Sequence, residues 1–274
     1  MAKIQREDAQ LIYDRFRRIK KPPTFKAKEK RIEIYDFPGF VISDFNRAGK
    51  LSVWSIVSFS EVYRYAIKPK RKAEKQEPDT EKTMMVISAQ KLEVSPELYT
   101  KAALELPMRV VMHPGHSGLS SFSTFIDITD ATSGKLYVRV QRQIVTLDAV
   151  TRKPVSQTHY DQTNANDQAQ PVIVPKFSPS PDKVTCTFRV CHTDSDNLYH
   201  TNHATYVRLC CDAAANACND GKLKNFSGDF FRYDVSGALI RYFGESFPGD
   251  NLEVTLWEDP VDLHSLYFHI MRLH

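Results

Sequence analysis

The sequence predicts an α+β fold made of two copies of one unit, each a helix gripped by antiparallel strands. Three observations point to it. The order strand, helix, further strands occurs once in each half of the 274 residues. The halves align at a constant offset: Asp44 and Asp194 stand 150 positions apart, and at the same spacing Asn46 meets Asp196, Lys50 meets His200 and Ser52 meets Asn202. A period that long marks a duplicated domain, since solenoid repeats run to about 20–50 residues. Between the halves lies an aperiodic tract, 149–181, with Pro154, Pro171, Pro175, Pro179 and Pro181 and a polar Q-T-N-A-N-D-Q-A-Q run, which is the composition of a linker. The expected division is an accessory segment 1–29, a first domain 30–155, a linker 156–181 and a second domain 182–274.

Taken in order, Ala9, Leu11, Ile12, Phe16 and Ile19 give the first segment an amphipathic helix, closed by Pro22 and Pro23. Arg31 to Ile42 reads as a strand. S-D-F-N-R-A-G-K-L-S then leads to a helix capped by Ser52, with Val53, Ile56, Val57, Tyr63 and Ile67 on one face and Ser60 permitting close approach. After a polar, basic loop from Lys68 to Lys82 come four strands: Thr83 to Val94, Lys101 to Met112, Leu119 to Asp130, and Lys135 to Asp148. The turns between them, S-P-E-L, H-P-G-H-S-G and D-A-T-S-G-K, carry the chemistry of antiparallel hairpins. The second half repeats the order with a strand Lys183 to Val190, a helix over about 203–219, and strands Ala238 to Ser246, Asn251 to Glu258 and His264 to Arg272. That copy is one strand short. A bare edge invites strand pairing, so the expectation is that either the chain is truncated or residues 5–18 cover that edge. The second helix places Ala204, Val207, Cys211, Ala214, Ala215 and Cys218 on one face, small side chains that let a sheet come close.

Composition narrows the function classes. Lys plus Arg number 37 against 33 Asp plus Glu, a net charge of +4, too small to argue for nucleic-acid binding. Two local clusters, Arg17, Arg18, Lys20 and Lys21, and Lys68, Lys70, Arg71, Lys72 and Lys75, read first as solvated loop charge and second as contact with a phosphorylated ligand or an anionic surface. Five cysteines, all between positions 186 and 218, form no framework of spacings and point to reduced thiols in a cytosolic compartment. No apolar run approaches the roughly 20 residues of a membrane span, and the first residues lack a signal-peptide core. The expectation is a soluble, cytoplasmic protein.

The stretch 191–212 concentrates the chemistry. A β-branched run feeds Asp194, Asp196, His200 and Asn202 into a helix N-terminus, whose unpaired N–H groups carry partial positive charge suited to a developing oxyanion. Here D-S-D-N-L-Y-H-T-N-H-A-T-Y resembles the D-x-D-x-x-x-H-x-N-N-x-x-Y motif of the hotdog-fold acyl thioesterases, of the 4-hydroxybenzoyl-CoA thioesterase and double-hotdog acyl-ACP thioesterase types. I-R-Y-F-G-E-S-F-P-G-D-N-L-E-V is similar to their second and third strands. In the first half H-S-G-L-S-S-F, D-A-T-S-G-K-L and V-T-L-D-A-V-T-R-K-P-V resemble their closing strands. The likeness spans roughly 30–155 and 182–272. It implies two hotdog domains in tandem, each a long helix wrapped by a curved antiparallel sheet, the second one strand short. It also implies an acyl-CoA or acyl-ACP thioester hydrolase without a cofactor, its hotdogs paired within the chain and open to further homo-oligomerisation.

Carried over by residue, Asp196 matches the catalytic aspartate, His200 the histidine four positions on, and Glu245 an acidic strand residue used by some acyl-ACP thioesterases. The sequence departs from the motif at Tyr199, where glycine is usual, at His203, the second Asn, and at Leu198. In the first copy the aspartate is Asn46 and the histidine Lys50, which suggests that the second copy does the chemistry while the first helps form the pocket. In this scheme Asp196 attacks the carbonyl or orients water, backbone N–H groups from Asn202 through His203 to Ala204 hold the oxyanion, and Asn46, Lys50 and Ser117 contact substrate. Plainer roles stand beside these: turn or cap carboxylates for Asp194 and Asp196, a packed imidazole for His200, a strand ion pair for Glu245, helix acids for Glu61 and Asp212, and a hairpin turn for His113, His116 and Ser117. No metal is expected, because Cys191, His192, Asp194, Asp196, His200 and His203 match no zinc spacing, and Tyr199 and Thr205 break an EF-hand loop. An enoyl-CoA hydratase motif D-x-N-P-x-H begins at Asp44 but fails at Arg47 and Gly49. A non-catalytic acyl-CoA or lipid binder remains the alternative from another class.

Overall fold

The computed structural model describes residues 24–29, 32–37, 39–60, 83–101, 107–156, 169–196 and 199–273. The expected N-terminal helix, its edge-covering residues 5–18, both basic clusters, Glu61, Tyr63, Ile67 and Leu198 lie outside them. The chain forms two compact units. One comprises the described residues up to Ile42, Ser60–Val174 and Val235–Phe243; the other comprises Ser43–Phe59, Pro175–Asp234 and Gly244–His274. These units exchange two segments relative to the expected 30–155 and 182–274 division, because a helix and a strand each find their partners in the other half of the sequence.

The first unit is a seven-stranded antiparallel sheet in the order β1-β2-β4-β5-β6-β3-β8. Its strands are β1 (Thr24–Glu29), β2 (Ile32–Phe37), β3 (Thr83–Val94), β4 (Met108–Ser117), β5 (Ser121–Asp130), β6 (Leu136–Asp148) and β8 (Gly237–Arg241). Register follows from rows of directly opposed branched residues. Val110 faces Ile128, which faces Val138, which faces Val94; one row along, Ile126 faces Val140 and Val140 faces Leu92. All seven are buried. A slip of one position would turn each row to the opposite face, so burial fixes the pairing. Elsewhere opposed pairs are ionic: Arg109 clamps Asp36 through Nε and Nη2 at 2.8 and 3.2 Å, and Arg139 clamps Asp127 at 2.8 and 2.7 Å.

Three elements differ from expectation. Thr24–Glu29 forms a strand paired with β2, in a stretch assigned to the accessory segment. Pro96–Lys101 forms a helix, α2, where a turn and the start of a strand were expected, and β4 begins only at Met108. The local reason is helix-starting chemistry: Ser95 accepts the Glu97 N–H at 3.4 Å, Pro96 tolerates the first position and Glu97 supplies first-turn negative charge. Finally, β8 pairs with β3 and its ladder ends at Arg241, short of the expected Ser246. One of the four strands expected of the second copy thus joins the first copy's sheet, and three remain in the other sheet.

The second unit holds a three-stranded antiparallel sheet, β10-β9-β7, with β7 (Val184–Arg189), β9 (Asn251–Glu258) and β10 (Leu266–Leu273). The 17-residue helix α3 (His203–Asn219) packs on β9 and β7 and against α1 (Val53–Phe59). Every small residue expected on its core face is buried, and Ala213, Ala214 and Ala217 meet Val190, Leu252, Val254 and Leu256 in one cluster. Local chemistry sets both helix ends. Asn202 caps the start by accepting the Ala204 N–H at 2.9 Å, and at the far end Gly221, at φ +64°, lets its own N–H reach Cys218 O and the Lys222 N–H reach Ala217 O.

Candidate active site

Two loops of the second unit have the same backbone at the offset of 150. Three-residue 3₁₀ turns, Ile42–Asp44 and His192–Asp194, precede isolated bridges Phe45–Leu51 and Ser195–Thr201. In one loop Asn46 N–H donates to Lys50 O and Ser52 N–H to Asp44 O; in the other Asp196 N–H donates to His200 O and Asn202 N–H to Asp194 O. Asn46 Oδ1 accepts the Lys50 N–H at 3.1 Å and Asp196 Oδ1 accepts the His200 N–H at 3.2 Å. Gly49 (φ +76°) corresponds to Tyr199 (φ +63°). The loop therefore demands a left-handed residue, which glycine supplies freely and tyrosine only with strain of order 1 kcal/mol.

In the second copy the structure brings Asp196, His200 and Glu245 to one end of α3. His200 Nδ1 lies 3.8 Å from Glu245 Oε1, and its ring meets Phe247 edge-on at 5.4 Å between centroids. The separation from Glu245 suits an ion pair rather than a hydrogen bond. Asp194 does different work: its carboxylate accepts the Cys191 N–H at 2.8 Å and Arg208 Nη2 at 2.7 Å, so it shapes the turn. Arg208 also reaches Asp212 at 3.0 Å, whose carboxyl burial pushes up while Arg208 opposes the shift. Asn202, His203 and Ala204 open the helix, but the Asn202 and Ala204 N–H groups already have acceptors in Asp194 O and Asn202 Oδ1. An oxyanion held by either of these two groups would have to displace its present acceptor.

The first-copy loop is engaged otherwise. Asn46 Nδ2 donates to Phe231 O at 3.1 Å, Arg47 pairs with Asp229 at 2.9 Å and lies over the Phe231 ring, and Lys50 Nζ sits 2.6 Å from Asp234. Trp54, at the position of Ala204, meets the same ring edge-on. Segment 229–234, with a 3₁₀ turn at Phe230–Arg232, thus engages Asn46 and Lys50, two of the side chains expected to contact substrate.

Ser117 ends β4 in the first unit, its hydroxyl buried with no hydrogen-bond partner among the described residues. His113 stacks on Phe125 and reaches Asp127 at 3.4 Å, and the His116 N–H is held by Ser123 Oγ, so both belong to the sheet. No cysteine is in a disulfide; burial pushes the Cys211 thiol up to about 12 and also raises Cys210, Cys218 and Cys186, while Cys191 is exposed. Among the described residues, no group of three or more His, Cys, Asp or Glu side chains is placed to hold a metal, and no helix is long and apolar enough to cross a membrane.

Residues not anticipated from sequence tie the site together. Thr201 Oγ1 and Tyr206 Oη both bond Ser246 Oγ, at 2.7 and 2.8 Å, between Glu245 and Phe247. Tyr206 ends the quoted motif, which was the available signal; Ser246 had none.

No family model matches the chain, and no curated protein matches it in sequence. Solved structures do resemble it. A protein described as an oleoyl thioesterase from Lactobacillus plantarum superposes with a TM-score of 0.69 at 12% identity, covering 88% of this chain and 91% of that one. An acyl-ACP thioesterase from Bacteroides thetaiotaomicron gives 0.65 at 13%, covering 90% and 94%. The 12:0-ACP thioesterase from Umbellularia californica gives 0.63 at 12%, covering 86% and 91%. The likeness runs over nearly the whole length and defines the fold: two hotdog domains in tandem.

Proposed function

We propose that this protein hydrolyses acyl thioesters carried by coenzyme A or acyl-carrier protein, using the second-copy loop. The observation that carries this reading is that Glu245, 45 residues on, meets the loop of Asp196 and His200 at the start of α3, while the equivalent Asn46 and Lys50 are bound to segment 229–234. The similar structures are those of proteins described as oleoyl and acyl-ACP thioesterases, which agrees with this substrate class.

In the reaction, water oxygen bonds to the thioester carbonyl carbon, the C–S bond breaks, and sulfur leaves as a thiol after gaining a proton. Asp196 orients the water and accepts its proton as the water oxygen bonds to the carbonyl carbon, then passes that same proton to the departing sulfur, while His200 and Glu245 steer the water. Asn46 and Lys50 take a supporting role in fixing the loop beside the first helix.

The test is thiol release from a panel of saturated and unsaturated acyl-CoA and acyl-ACP esters by wild type and His200→Gln. Wild type is expected to release thiol from at least one class and His200→Gln to be slower by about tenfold or more. Tight binding of every ester without release would replace the hydrolase with an acyl-thioester binder.

A further inference from the structure

Glu245 and His200 come from segments 45 residues apart, and no ladder pairs them: β8 ends at Arg241 and β9 begins at Asn251. Something else must hold residues 245–247 against the loop that carries His200. The hydrogen bonds of Ser246 do so. Its carbonyl accepts both the N–H of Thr201, at 2.8 Å, and the hydroxyl of Thr201, at 2.9 Å. Its hydroxyl meets Thr201 Oγ1 at 2.7 Å and Tyr206 Oη at 2.8 Å, and its N–H donates to Tyr206 Oη at 3.2 Å. Every polar group of Ser246 is therefore bound by two residues of the loop–helix junction. Ser246 and Thr201 are 2% and 6% exposed, so these bonds are shielded from competing water.

The consequence lies in the flanking residues. With Ser246 pinned, Glu245 and Phe247 fall on either side of it, and these are the two groups that meet the His200 ring, one through its carboxylate and the other through its edge. We propose that Thr201, Tyr206 and Ser246 are positioning residues, a hydroxyl triad that clips segment 245–247 to the start of α3 and thereby sets the place of Glu245 and Phe247 around His200. None needs to touch substrate. The proposal rests on reading His200 and Glu245 as members of the site.

The alternative for the triad is ordinary core stability, and two readouts separate the roles. The first is kinetic. Tyr206→Phe and Thr201→Val each remove a hydroxyl with little change of shape; each is expected to lower kcat by about tenfold, with KM changed by less than about threefold, and Thr201→Ser, which keeps the hydroxyl, to restore most of the loss. In a Glu245→Gln background Tyr206→Phe should cost little more, since the two act through one contact. The second readout needs no activity. The edge-on Phe247 ring imposes a ring-current shift on the His200 ring protons, assigned by comparison with His200→Gln, and this shift should collapse towards that of an exposed histidine in Tyr206→Phe. If Tyr206→Phe and Thr201→Val leave both kcat and the His200 shift at wild-type values, or if their kcat losses add in full to that of Glu245→Gln, the proposal is overturned. A wild type that hydrolyses no acyl thioester removes the functional reading, and the His200 shift then decides the positioning claim alone.

Discussion

At one equivalent position the two copies differ by a single atom's chemistry. Asn46 and Asp196 both accept the N–H four residues on, yet the amide of Asn46 donates to Phe231 O, which a carboxylate cannot do. Asn46→Asp therefore loses that bond and places an acceptor against an acceptor, at a cost of about 1–3 kcal/mol, read as a lower denaturation midpoint. Tyr199 makes the opposite case: its left-handed backbone is strained and its side chain half exposed. Tyr199→Gly relieves the strain but adds unfolded-state freedom, and a net gain of no more than about 0.5 kcal/mol is expected in thermal unfolding. For Asp127, burial alone would raise the carboxyl, but the Arg139 and His113 hydrogen bonds outweigh it and hold it at about 2. Because the folded value is depressed, its contribution of about 2 kcal/mol is complete above the unfolded value near 4 and disappears as pH falls through 2. Asp127→Asn should lower stability at pH 7 by that amount and flatten the acid limb between pH about 4 and 2, measured by chemical denaturation.

At the scale of elements, local chemistry was legible and partner choice was not. Helix α3 was readable because small residues recur along one face, a local pattern that its burial obeys. β3 was equally readable, from its own residues Thr83 to Val94. The partner of β8 was not: a strand's neighbours are chosen by tertiary packing, and nothing in G-A-L-I-R names β3. Nor was the hydroxyl triad, whose members lie 40 and 45 residues apart. Ser95-Pro96-Glu97 serves turns and helix starts alike, and in α2 the chain takes the helix start. Among the site residues, sequence indicated which chemistry stands at Asp196 and His200, but not that the cap occupies the Ala204 N–H. The β8 pairing has its own test: a Cβ on Gly237 would come within 2.8 Å of Leu92 O, so Gly237→Ala must push the strands apart. A loss of about 1–3 kcal/mol and faster amide exchange at the β3 amides are expected.

Over the whole molecule, duplication left two loops with one backbone and different chemistry. In one, a neighbouring segment binds the amide, the lysine and the aromatic ring; in the other, a carboxylate, an imidazole and a second carboxylate gather at a helix start. The central claim is that hydrolysis belongs to the second loop and turns on Asp196. The most direct measurement is kcat/KM for thiol release by Asp196→Asn and wild type on the best acyl thioester found, with the fold of the variant verified by its melting temperature. A folded Asp196→Asn slower by about a hundredfold or more is the predicted result; a folded Asp196→Asn that hydrolyses at the wild-type rate would contradict the account.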